Sequence, residues 1–87
     1  MNLKGKVAIV TGGARDLGRA ISVRFAQEGA KVVVNYFDNP EDAQETLKMI
    51  EAAGSEGIII QGDMTKAADV KRLFDTAVEN SVMKSTH

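Results

Sequence analysis

Three short apolar runs, each followed by a helix-type pattern, constrain this 87-residue chain more than any other feature. Val7 to Val10 is a continuous apolar run, as expected of a strand buried on both faces. Leu17, Ala20, Ile21 and Phe25 then follow the i, i+3, i+4, i+8 spacing of one helix face, which Gly29 closes. Lys31 to Tyr36, rich in valine, supplies a second strand. Asn39-Pro40-Glu41-Asp42 is a strong helix start. Asn39 can cap, Pro40 suits the first helical position, and two carboxylates favour the positive end of the helix dipole. Ala43, Leu47 and Ile50 form the stripe of that helix, closed by Gly54. Gly57 to Gln61 holds a third strand, centred on Ile58-Ile59-Ile60. Thr65 can cap a third helix, whose Val70, Leu73, Phe74 and Ala77 repeat the i, i+3, i+4, i+7 signature.

The order βαβαβα predicts an α/β fold with a three-stranded parallel sheet and flanking helical crossovers. Such crossovers are right-handed in nearly all proteins. With strand order 3-2-1, the first two helices share one face of the sheet. The third is expected on the other face only if the chain crosses back to a fourth strand beside the first, and the sequence offers none. Residues 81–87, Ser-Val-Met-Lys-Ser-Thr-His, are unpatterned and read as a frayed tail behind a single unit spanning 1–80.

Composition removes several function classes. A formal net charge of −1 gives no electrostatic reason to expect nucleic acid or an acidic membrane as partner. The chain has no cysteine, and its one histidine, His87, is the last residue, which leaves no thiolate or histidine metal site. No segment approaches the roughly 20 apolar residues of a membrane span. The opening apolar run stops at Thr11, short of the roughly 7–15 residues of a signal-peptide core. A soluble cytoplasmic protein is the expectation. A chain of this size buries only about 60% of its unfolded surface, so its stability should be marginal.

Between the first strand and the first helix stands Thr11-Gly12-Gly13-Ala14-Arg15-Asp16-Leu17-Gly18-Arg19. A strand–turn–helix passage of this kind puts backbone N–H groups and a helix N-terminus where a phosphate can sit, and reads as the entrance to a dinucleotide site. For the glycines alone, an ordinary βα turn is the competing reading. The segment resembles the cofactor fingerprint of the short-chain dehydrogenase/reductase family, Thr-Gly-x-x-x-Gly-x-Gly. Thr11, Gly12 and Gly18 match it, and Asp16 stands where the middle glycine belongs. Three more patches look familial: Phe25 to Val34, Gly62-Asp63-Met64-Thr65, and Asp69 to Ala77.

The resemblance implies a partial Rossmann-type unit that binds a dinucleotide. Gly12 would make the tight turn, Gly18 would allow close helix–strand packing, and amides near Leu17 would face the pyrophosphate. Asp63 matches the acid whose side chain hydrogen-bonds the adenine ring, and Met64 matches the neighbour whose backbone lies near the same base. As residues alone, Asp63 is also read as a helix-start acid. Tyr36 falls at the end of the second strand, beside the expected adenosine site. Asp16 either caps the first helix or repels the phosphates by about 1–3 kcal/mol at about 5 Å and an effective dielectric of about 20 to 80. Arg15 and Arg19 are close enough in sequence to offset part of that. The second strand ends in Asn35 and Tyr36 with no acid before Asp38, and Arg15 holds the position where the family's NADP users often carry a basic residue. NADP is therefore expected over NAD, with Arg15 also readable as a solvated loop cation.

The resemblance also implies chemistry that this stretch does not contain. The family's general acid/base is a tyrosine with a lysine four residues later, aided by a serine. The only tyrosine here is Tyr36, and four residues on stands Pro40. The Asn-Asn-Ala-Gly segment of the family's fourth strand is also missing. Two readings follow: the NADP(H)-binding N-terminal half of an oxidoreductase, inactive alone, or a non-catalytic nucleotide-binding or assembly module. Either leaves the first strand and the third helix with apolar surface to cover, so self-association through one of them is expected.

Overall fold

The computed structural model describes residues 3–12 and 16–85. Strands β1 (Val7–Val10), β2 (Lys31–Tyr36) and β3 (Gly57–Gln61) alternate with helices α1 (Asp16–Gln27), α2 (Pro40–Ala52) and α3 (Ala67–Ser85). The strands are parallel in the order β1-β2-β3. The register aligns Val10 with Val34 and Tyr36 with Gln61, so β2 and β3 end together and β1 stops at the level of Val34.

Local chemistry explains the boundaries. Asn39 Oδ1 accepts the Asp42 N–H at 3.2 Å, and Pro40 opens α2 where an amide would have no partner. Behind α1, Gly29 takes a φ of +98°, and the Lys4 backbone lies 3.1 Å from where a Cβ would stand. Conformation and space both require glycine there.

Strand β2 is the centre. Val32, Val33 and Val34 are all buried, although they alternate between faces, because a helical layer covers each side. One core joins Val10, Ala26, Val32, Val34 and Ile50 beneath α1 and α2. The other joins Val33 with Leu73 and Ala77 of α3, over Val7, Ile9, Ile58 and Ile60. Helices α1 and α2 share a face as expected, and α3 lies on the opposite one.

The sequence expectation made that position conditional on a fourth strand; within the described residues the packing of the sheet's second face accounts for it. The side chains of Val7, Ile9, Val33, Ile58 and Ile60 point to the second face, and α1 and α2 already fill the first. Leu73 and Ala77 therefore have one apolar surface left to cover. Phe74, expected in that stripe, is instead 53% exposed. The backbone also stays helical to Ser85 where a frayed tail from residue 81 was expected. Extending an existing helix adds one hydrogen bond per residue and needs no apolar face of its own. Thr65 lies two residues ahead of the first residue of α3, and its hydroxyl donates to Asp63 rather than serving as the expected cap.

The docking of α3 yields a contrast between adjacent residues. Leu73→Ala should destabilise by about 2–5 kcal/mol, a large share of a small domain's stability. Phe74→Ala, measured in dilute solution, should change folding stability by less than about 1 kcal/mol. Urea unfolding followed by circular dichroism distinguishes the two; equal losses would place α3 in another rotation about its axis.

Candidate functional site

Because the strands run parallel, the segments Thr11-Gly12, Asn35 to Phe37, and Gly62 to Thr65 meet at their C-terminal ends. In open parallel sheets this end is where ligands bind. The turns border an open cavity of about 380 Å³ lined by Thr11, Gly12, Asn35, Phe37, Gly62, Asp63, Met64 and Thr65. A second depression of about 330 Å³ adjoins it, sharing Phe37, Gly62 and Asp63 and extending to Asp38, Asp69 and Arg72.

Gly12 holds a φ of +67°, and no neighbouring heavy atom lies within 4 Å of where a Cβ would stand. The demand on Gly12 is conformational, and the space above it is open for a ligand. Asn35 is buried at 3% exposure, and its Nδ2 donates to Ile60 O at 3.3 Å and Gly62 O at 3.2 Å. It ties the end of β2 to the turn after β3. The Tyr36 carbonyl completes the tie by accepting the Gly62 N–H at 3.0 Å.

That turn is held further by two carboxylates. The Asp63 N–H donates to Asp69 Oδ2 at 2.8 Å. Asp63 Oδ1 accepts the Thr65 hydroxyl at 2.6 Å and the Thr65 N–H at 2.9 Å. These two bonds, the hydroxyl first, hold the Asp63 carboxyl below its ordinary value, with a smaller contribution from the charge of Lys66. Both bonds end on Oδ1, so Oδ2 remains an acceptor at the cavity lining.

Gly12, Asp63 and Met64, three of the residues expected at the site, line the cavity together. Leu17 and Gly18 lie in the first turn of α1 outside that lining, with Leu17 73% exposed. Tyr36 accepts the Gly62 N–H through its carbonyl and stands outside the lining, whereas its neighbours Asn35 and Phe37 are part of it. Arg15 and the Asp16 side chain lie outside the described residues; the Asp16 backbone opens α1. Arg19, expected from its place in the sequence to offset part of the Asp16 charge, reaches α2 in the structure. Its Nε donates to Thr46 Oγ1 at 2.9 Å and its Nη2 to Asp42 O at 3.1 Å, clamping α1 to α2.

Sequence reasoning missed the structural part of Asn35. Its signal was a lone amide at the end of an otherwise apolar buried strand, where an unpaired polar group is costly. Phe37 and Asp69 carried no comparable signal.

A family model described as short chain dehydrogenase matches residues 6–83. The chain belongs to the short-chain dehydrogenase family. Glucose 1-dehydrogenase 2 of Bacillus subtilis is 42% identical over 79 residues, covering 91% of this chain and 31% of that protein. A solved dehydrogenase/reductase from Sinorhizobium meliloti is 39% identical with a TM-score of 0.88, covering 92% of this chain and 32% of that one. A short chain dehydrogenase from Burkholderia cenocepacia, solved in complex with NADP, is 40% identical with a TM-score of 0.87, covering 93% of this chain and 33% of that one. The chain thus spans about a third of the length of the relatives it matches. Among the described residues no helix is long and apolar enough to cross a membrane, and no group of histidine, cysteine or carboxylate side chains could hold a metal.

The Asp63–Thr65 pair gives a direct electrostatic test. Thr65→Val keeps the N–H and removes the hydroxyl, the larger cause of the depressed pKa, so Asp63 should titrate closer to the ordinary value of 3.8. A carboxylate with a depressed folded pKa contributes stability that is complete above its unfolded value and is lost as pH falls through the folded one. The turn should therefore be intact at neutral pH and loosen only below 3.8 in the unmodified chain. Carbon-detected NMR titration of the Asp63 carboxyl reads both effects; identical curves for the two proteins would contradict the assignment.

Proposed function

We propose that this chain supplies the adenosine-binding part of an NADP(H) site in a short-chain oxidoreductase. The observation that carries the reading is the meeting of Gly12, at positive φ with open space above it, and the Asp63 carboxylate in one cavity at the strand ends. The residues suit the group. Phe37 and Met64 supply apolar surface to the cavity lining, which suits the face of a purine, and the Asp63 carboxylate can accept from its exocyclic amine. The Gly12 turn and the N-terminus of α1 are where a pyrophosphate is favoured.

NADP rather than NAD is supported by three points. No carboxylate stands at the end of β2 to receive an unphosphorylated ribose, Arg15 lies within the glycine turn, and a relative of this architecture was solved with NADP. When bound, the nicotinamide of such a cofactor supplies or accepts hydride. This chain's own residues bind and orient the adenosine end. With Tyr36 as the only tyrosine and Pro40 four residues on, no tyrosine–lysine proton relay is available within residues 1–87. By itself the chain should be a nucleotide-binding unit without turnover.

Calorimetry with NADPH and NADH tests the reading. Binding should be weak, in the high-micromolar range or poorer, on the order of −4 to −6 kcal/mol, and tighter for NADPH. Arg15→Ala should remove the preference. Asp16→Gly should tighten both cofactors by up to about tenfold, about 1.4 kcal/mol, if the carboxylate opposes the phosphates, and leave them unchanged if it only caps α1. No binding of either cofactor, or measurable ketone reduction by the purified chain, would overturn the proposal.

A further inference from the structure

The peptide that joins Gly62 to Asp63 is held at both of its polar ends. Its carbonyl accepts Asn35 Nδ2 at 3.2 Å, and its N–H donates to Asp69 Oδ2 at 2.8 Å. A planar peptide swings as one body about its flanking Cα atoms, and a glycine beside it offers that swing little steric resistance. Pinning both ends fixes the backbone on the N-terminal side of Asp63, from which its side chain projects. Thr65 then fixes the carboxylate itself, through two bonds to Oδ1.

Asp69 is the third residue of α3. An acidic side chain at this position commonly reaches back to the N–H of the residue just ahead of the helix, here Lys66, and closes the first turn. This carboxylate passes Lys66 and reaches six residues back, to the turn behind β3. Its two oxygens have separate partners. Oδ2 accepts the Asp63 N–H, and Oδ1 lies 3.8 Å from Arg72 Nη2, which also donates to Gln61 O at 2.7 Å. A Cβ on Gly62 would stand 3.5 Å from Asp69 Cβ and 3.5 Å from Arg72 Nη2, so α3 packs directly over this peptide. Asp69 lines the adjoining depression and not the cavity itself, so it acts on the cavity through Asp63.

We infer that Asp69 is a positioning residue of the adenosine site: by holding the Asp63 N–H it sets the direction in which the Asp63 carboxylate meets the base. The inference rests on the adenosine reading of the cavity. As an acid in the first turn of α3, Asp69 also favours the positive end of the helix dipole. The two roles draw on different properties. The dipole responds to charge, whereas positioning needs only an acceptor, which asparagine retains. Charge and positioning also differ in sign at the site. Removing a carboxylate near a ligand that carries phosphates should tighten binding, and losing the positioning bond should weaken it.

An NMR titration of the full 87-residue chain with adenosine 2′,5′-bisphosphate separates them. Asp69→Ala should raise the dissociation constant roughly three- to tenfold, the scale of one hydrogen bond. Asp69→Asn should bind at least as tightly as the unsubstituted chain. Asp75→Ala removes the same charge from an exposed position on the same helix and should leave the affinity unchanged. Hydrogen exchange is a readout that needs no ligand: the Asp63 amide should lose protection in Asp69→Ala and keep it in Asp69→Asn. Circular dichroism should show α3 intact in Asp69→Ala, since alanine is a strong helix former. Equal affinities for Asp69→Ala and Asp69→Asn, beside an unsubstituted chain that binds, would overturn the role of Asp69 alone. An unsubstituted chain that binds nothing would overturn the adenosine reading and this inference with it.

Discussion

Strand β2 is the constraint on which the rest of the molecule depends. It is bonded on both edges and covered on both faces, so Val32, Val33 and Val34 can all be apolar without alternation. Its two faces separate the chain into two cores, one beneath α1 and α2 and one beneath α3. Parallel pairing on both sides of β2 also forces three successive turns to the same end of the sheet. The candidate site is a consequence of that register, since residues as distant in sequence as Gly12 and Asp63 reach one cavity through it.

The site is stiffened by polar contacts rather than by packing. Asn35 spends its buried amide on the carbonyls of Ile60 and Gly62, and Asp69 takes the Asp63 N–H. Thr65 then fixes one oxygen of Asp63 and leaves the other. Each contact is modest, about 0.5–1.5 kcal/mol for a neutral pair, but together they fix the direction of one carboxylate. A preordered acceptor loses less freedom on binding than a mobile one. On the proposed reading, this carboxylate would meet a base edge.

Much of this was legible in the sequence because the signals were local. The valine and isoleucine runs gave the strands, and Asn39-Pro40 gave the start of α2 to the residue. The glycine turn and the Gly62–Thr65 patch stand out through their resemblance to a family, and Gly12 and Gly62 to Thr65 line one cavity. What escaped detection depends on long-range placement. Whether Leu73 or Phe74 faces inward follows from how α3 rotates against β1 and β3, and helical periodicity admits both. Arg19 reads by proximity as an offset to the Asp16 charge, yet a long side chain reaches whichever acceptor lies across the helix interface, here Thr46 and Asp42. Asn35 reads as a missing acid until the β3 turn is seen beside it.

The central claim is that the three strand-end turns form one adenosine site. The most direct measurement is an amide-resolved NMR titration of the chain with adenosine 2′,5′-bisphosphate, which carries the recognition groups without the nicotinamide. The account predicts saturable shifts grouped at Gly12, Asn35, Phe37 and Gly62 to Thr65, with α2 unmoved. Shifts scattered over the surface, or grouped at the opposite end of the strands, would contradict it.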